Sequence, residues 1–392
     1  MDVKNTYKSS PRAGPSLFRG GPFYRAQLAT RLIKEGEWNH GRRVVIVVAI
    51  AWVPLVLLTK VFNSSALPSL LTSYRVYSRL FIAIPVLLIG QTIMESLFQM
   101  AVQHIIDADL LGKADLIRMD RMIETLMRLR DSLIPEAIIV VLLIAHTIAA
   151  LKNQLDVTPW LAYGVPPDVH PTAAGWYVIL VSAAIFQFLL GLSLWKWLLW
   201  TIFAFRVSRL NLRLVATHPD GHGGLGFLGL VPVAFTPISF AAATVIGSTW
   251  RHDVLSHGSK LMSFRLDVIV LLILVAMIAI GPLAFFVPKL AELRHQGILE
   301  YGILGQIQSR NFQDKWISRR TGYEAEFLAA PESSSLANYR SSYSNIAKLK
   351  PLPVDQGVLI ALAISIGLPM LPVVLTVIPL IVVIEDLLKA MR

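Results

Sequence analysis

Cysteine is absent from the chain, and its absence removes disulfide frameworks, thiolate metal sites and cysteine nucleophiles from consideration. Charge is scarce as well. Asp, Glu, Lys and Arg make up 16% of the 392 residues against 55% apolar residues, with a mean hydropathy of +0.60, too few charges to cover a water-soluble fold. The charges that do occur stand at the ends of long apolar runs, the distribution a bilayer imposes because hydrocarbon penalises each exposed charge. Conventional catalytic signatures are also missing: there is no HExxH, no GxSxG, no kinase set and no paired acidic motif of a phosphotransferase. The expectation is a membrane protein, with enzyme activity left open but less favoured than a role without catalysis. The first 43 residues are polar and basic and the first apolar run begins near Val44, so the first helix is expected to act as an uncleaved anchor, not a signal peptide.

Apolar windows of the length that crosses roughly 30 Å of hydrocarbon lie near 44–62, 80–102, 133–151, 177–204, 226–247, 268–288 and 357–384. The expected fold is therefore all-α, a polytopic transmembrane helical bundle of seven spans, or six if the short third window, which carries His146, re-enters. With the N-terminus in the cytoplasm, segments 1–43, 103–132, 205–225 and 289–356 hold 26 of the 36 Lys and Arg residues, and 60–79, 152–176, 248–267 and 385–392 hold nine. This bias sets the orientation. Topology thus accounts for the net charge of +11, with the bilayer and its anionic headgroups as expected partners and no need for nucleic acid. A homo-oligomer is compatible with this organisation.

The domain organisation expected is a basic cytoplasmic segment (1–43), the bundle (44–288), a cytoplasmic helical segment (289–356) and a kinked final span with its tail (357–392). Within the bundle, Leu116, Met119, Ile123 and Leu126 recur at three- and four-residue spacing inside 103–132, which predicts an amphipathic cytoplasmic helix. Gly367, Pro369, Pro372 and Pro379 predict the kink. The stretch "PWLAYGVPPDVHP", with four prolines and a glycine, is expected to be irregular. Tryptophans 176, 195, 197, 200 and 250 fall near span boundaries, where an amphipathic ring is favoured.

Several stretches of the second half carry a resemblance: "HPDGHGGLGFLG" opening the fifth span, "LEYGILGQIQSRNFQDKW" after the sixth, and "SSLANYRSSYSNIAKLKPLPVD" leading to "LPMLPVVLTVIPL". Together they are similar to a family of bacterial polytopic inner-membrane proteins of no assigned function. The resemblance implies a helical bundle in a bacterial cytoplasmic membrane. It brings no substrate, cofactor or catalytic residue.

Two groups of residues could carry chemistry. Ionisable groups inside spans are expensive and must face protein or water. Gln91, Glu95 and Gln99 follow at four-residue spacing on one face of the second span. Lys196 in the fourth span, at a comparable depth, could pair with Glu95, and Gln187 and His146 could extend a polar path outward. The other group is "THPDGHGGLG" (217–226). Gly221, Gly223 and Gly224 permit the positive φ that anion-cradling loops use, and Arg206, Arg209 and Arg213 precede them, so an anion or lipid headgroup could bind at this helix N-terminus. His218, Asp220 and His222 form an N/O set for a divalent metal, with His104 or His295 as a further ligand. The plain alternative is a turn in which Asp220 or Thr217 caps the next helix. In the outer segment, Arg251, His252, Asp253 and His257 read as a solvated loop. No cofactor is expected apart from that candidate metal. The leading functional expectation is transport or a channel through the Glu95 path. The alternatives are a membrane enzyme or lipid-handling protein using the 217–226 loop, and a scaffold docking through 289–356.

Overall fold

The computed structural model describes residue 16 and residues 19–34, 39–152, 157–165, 168–318 and 331–377. The fold is all-α, with seven helices long and apolar enough to cross a membrane among the described residues, as an integral multi-pass membrane protein requires. In chain order the main elements are α1 (Pro22–Ala29), α2 (His40–Phe62), α3 (Tyr74–Asp107), α4 (Lys113–Asp131), α5 (Ile134–Lys152), β1 (Ala162–Val165), β2 (Asp168–Pro171), α6 (Ala173–Ser208), α7 (Gly226–His257), α8 (Leu261–Lys315), α9 (Pro331–Ala347) and α10 (Gln356–Val374). The third apolar window is thus a continuous helix. The end of the last window, with Pro379, lies outside the described residues. Pro369 and Pro372 both sit inside α10.

The predicted amphipathic helix is α4, and Leu116, Met119, Ile123 and Leu126 are its buried residues. Each is at most 5% exposed, worth about 1.5–3 kcal/mol apiece on burial. They join a core built from Phe98, Trp197, Trp200, Phe203 and the start of α7. Trp197 and Trp200 were expected at the membrane boundary and instead are 3% and 1% exposed. Trp200 stacks on Phe98 with ring centroids 4.5 Å apart, and Trp197 donates its indole N–H to the Ile278 carbonyl at 2.9 Å. Because α4 packs over this end of the bundle, rings near the edge of the hydrocarbon are still covered by protein.

Two further expectations are corrected. The proline-rich stretch forms an antiparallel hairpin, Ala162 opposite Pro171 through Val165 opposite Asp168. Its prolines do not interrupt the ladder: Pro159 precedes it, Pro171 ends it, and Pro166 and Pro167 lie outside the described residues. The cluster Arg251, His252, Asp253 and His257 is not a loop, because α7 runs on to His257 and stops at Gly258 in the left-handed region, φ 65°. The polar segment that begins at 289 starts inside a regular helix, Val287–Phe312.

The charge-based topology finds a counterpart in the contacts. The segments rich in Lys and Arg touch one another: the Arg213 N–H donates to the Leu110 carbonyl (2.8 Å), the Lys350 N–H to the Gly221 carbonyl (2.9 Å), and the Gly21 N–H to the Asp131 carboxylate (2.8 Å). The other set meets at the opposite face, where Asn63 donates to the Pro159 carbonyl (2.9 Å) and Arg251 lies 4.7 Å over the Tyr74 ring.

Candidate functional sites in the bundle and its loops

The polar face of α3 points inward. Glu95 is 2% exposed and Gln91 1%. The Glu95 carboxylate accepts from Ser16 Oγ at 2.7 Å, from Gln99 Nε2 at 3.3 Å and from Arg19 Nε, which it meets as an ion pair at 2.8 Å. One turn along, Gln91 Oε1 accepts from the Arg43 guanidinium at 2.9 Å. Lys196 on α6 is buried at 7% exposure and stands within electrostatic range of Glu95, Arg43, Arg130 and Glu136. The structure therefore gathers Gln91, Glu95, Gln99 and Lys196 into one region, and adds Ser16, Arg19 and Arg43, which the sequence left in an unassigned basic segment.

The cation beside Glu95 arrives on the N-terminal segment, which is laced to the start of α5 and the end of α4. The Phe23 N–H donates to Glu136 (2.9 Å), the Arg25 guanidinium to the Asp131 carbonyl (2.9 Å), and Arg130 to the Ser16 carbonyl. Gly21, at φ 94°, takes a conformation that side chains resist, and this turn aims its N–H at Asp131. Burial raises the Asp131 carboxyl, but bonds from the Arg130 side chain and the Gly21 amide, together with the charges of Arg130 and Arg25, hold it below the ordinary carboxylate value.

His146 does not join the Glu95 group. It lines a cavity of about 360 Å³ on the opposite face with Gln187, Arg75, Arg79 and Thr249. Gln187 and His146, expected as an outward extension of the Glu95 path, line this cavity beside Arg75 and Arg79, which the sequence assigns to an outer connecting segment. Their four-residue spacing at the head of an apolar run was the available signal.

In the 217–226 loop, Gly221, Gly223 and Gly224 do adopt positive φ, at 67°, 63° and 97°. The cradle they shape is filled by the chain's own carboxylate. Asp220 accepts from the backbone N–H of His222 (2.8 Å), of Gly224 (3.1 Å) and of Gly226 (2.8 Å), the last being the first residue of α7, so its carboxylate satisfies one of the free amides at the start of that span. His218 Nδ1 lies 2.8 Å from the same carboxylate. Gly223, at φ 63°, holds a backbone conformation that L side chains rarely adopt, which is why the loop favours glycine there. The three arginines are not drawn in: Arg213 pairs with Asp109 at 3.1 Å, Arg209 lies over the Phe205 ring, and Arg206 is half-buried at the end of α6. His222 meets the Asp220 carbonyl through Nδ1 at 2.8 Å, and its buried Nε2 has no hydrogen-bond partner among the described residues. His104 packs on the Phe227 ring. Among the described residues no group of three or more His, Asp or Glu is placed to hold a metal ion.

Burial raises the Asp220 carboxyl, but the amides of His222, Gly226 and Gly224 and the His218 side chain outweigh it and hold it low. A carboxylate whose folded value lies below its unfolded one contributes stability fully present above the unfolded value, about 3.9 for Asp, and lost as pH falls through the folded value. The melting temperature should therefore hold from neutral pH down to about 4 and drop below it. Asp220→Asn should start lower at neutral pH and show a shallower acid limb. Parallel acid limbs for the two proteins would show that Asp220 is not a titrating contributor.

Compared with known proteins, the chain matches no family model, no curated protein and no solved structure.

Proposed function

We propose that the protein is a gated transport protein of a bacterial cytoplasmic membrane, held here with its passage closed. The observation that carries this reading is the buried Glu95 in a membrane span, tied by an ion pair to Arg19, a residue outside the spans and 76 positions earlier. Hydrocarbon tolerates such a carboxylate only inside protein, and a counter-ion supplied by a segment outside the spans fits a gate whose opening would release that carboxylate. Arg79 and Glu95 lie on the same helix about 24 Å apart along its axis, near opposite edges of the hydrocarbon. Between them Leu80, Ala83, Ile84, Leu87 and Leu88 are at most 1% exposed. An open channel would need a continuous polar lining. Two polar ends separated by packed apolar residues fit a carrier that opens one end at a time. The charge bias and the sequence resemblance support the orientation and the location.

A metal- or phosphate-binding role for the 217–226 loop has less support, because Asp220 already occupies its amides. Anionic headgroups beside the basic face, and a second copy against the exposed length of α5, are partners the same geometry accommodates.

The test is proton leak in liposomes with an entrapped pH-sensitive dye under an imposed pH gradient. Glu95→Gln keeps an acceptor for Ser16 and Gln99 but loses the charge that holds Arg19. Leak is expected to rise about tenfold, the equivalent of about 1.4 kcal/mol at the closure, while circular dichroism shows an intact helical fold. Leak equal to that of empty liposomes in both proteins would sink the reading.

A further inference from the structure

The face opposite the basic one holds two adjoining recesses. The first, about 360 Å³, is lined by Arg75, Arg79, His146, Gln187 and Thr249 against Trp160. The second, about 300 Å³, shares Arg75 and Trp160 and adds Arg251, His252, Ser73 and Ser248. Among the described residues lining either one there is no Asp or Glu. Three guanidiniums, two imidazoles and several hydroxyls thus converge from α3, α5, α6 and α7.

This arrangement is one-sided in charge. Arg75 and Arg79 stand one helical turn apart, within electrostatic range of each other, and both line the first recess. Arg251 lines the second recess and lies over the Tyr74 ring, a cation–π contact that limits its freedom. Guanidinium forks match the oxygens of phosphate two at a time, and Ser and Thr hydroxyls complete such shells as neutral donors. The space accommodates a phosphate group with ordered water around it.

We propose that these joined recesses bind a phosphate-type oxyanion, supplied free from solution or as the headgroup of an outer-leaflet lipid. The assignment deepens the transport reading by naming what the outer compartment takes, and the two fail separately because binding is measured without flux.

The experiment is calorimetric titration of inorganic phosphate into the full-length protein in nanodiscs of zwitterionic lipid, with chloride at equal ionic strength as the blank. Saturable phosphate binding is expected. Arg79→Gln should weaken it about tenfold or more, the value of one charge-assisted bidentate contact, and Arg79→Lys should fall between, keeping the charge without the fork. If Arg79→Gln does not fold, Arg251→Gln gives the same comparison at the second recess. Repetition in phosphatidylglycerol nanodiscs separates the sources: loss of the phosphate titration there identifies a lipid headgroup, and an unchanged titration identifies free phosphate. No phosphate binding in zwitterionic discs together with no phosphatidylglycerol retained in native mass spectra would overturn the proposal, as would wild-type affinity in a folded Arg79→Gln protein.

Discussion

Arg19→Ala should lower the stability of the folded protein by about 3 kcal/mol, the low end of the range for removing one partner of a buried pair, because Arg19 itself is 32% exposed while Glu95 is 2% exposed. The loss comes less from the missing attraction than from what is left behind, a carboxylate inside a membrane bundle without its cation. Neutralising both partners removes that penalty. The double variant Arg19→Ala/Glu95→Gln should therefore recover to within about 1 kcal/mol of the wild type, a coupling that only interacting residues show. Thermal melting in detergent reads the stability of all four proteins of the cycle. Limited proteolysis reads the local consequence: residues 19–34 should become cleavable in Arg19→Ala. Additive losses in the cycle, or a segment as protected as before, would show that the pair does not hold the N-terminal segment in place.

Removing the Asp220 carboxylate should cost about 3 kcal/mol in Asp220→Ala. Bonds to an ionised acceptor contribute about 1.5–3 kcal/mol each, and three amide donors lose theirs at once, discounted because Asp220 keeps partial access to water. Asp220→Asn should recover little. Its oxygen can serve one side of the cradle, but its NH2 faces a backbone N–H, donor against donor. The damage should be local: hydrogen exchange at the amides of His222, Gly224 and Gly226 should accelerate while the core around Trp200 stays protected. Wild-type melting in Asp220→Ala would show that water replaces the carboxylate without loss.

Periodicity made some of this legible. A three-to-four spacing of apolar residues identified the buried face of α4 because a helix has only one register in which Leu116, Met119, Ile123 and Leu126 coincide. The same logic put Gln91, Glu95 and Gln99 on one face, and a carboxylate in a span must face inward. The glycines of the 217–226 loop announced positive φ. What they could not announce was the occupant of the resulting cradle, since an amide nest takes an external anion or a side chain two residues away with equal ease. Arg251 and His252 were misread because polar residues at the end of a span look the same whether the helix stops or continues into water. Here pairs such as His257 with Asp253 at 3.5 Å bridge successive turns of the extension.

The division follows from the range of the forces. Composition and the placement of Lys and Arg determined the class, the spans and which connecting segments share a face, because the bilayer acts on each residue by its own transfer energy, whatever its neighbours. Only the tertiary structure decided that Arg19 meets Glu95, that Arg213 turns to Asp109 and away from the glycine loop, and that Arg75, Arg79 and Arg251 open onto adjoining recesses. Ion pairs and hydrogen bonds act over a few ångströms between residues far apart in the chain, and no local pattern records which of many cations will arrive.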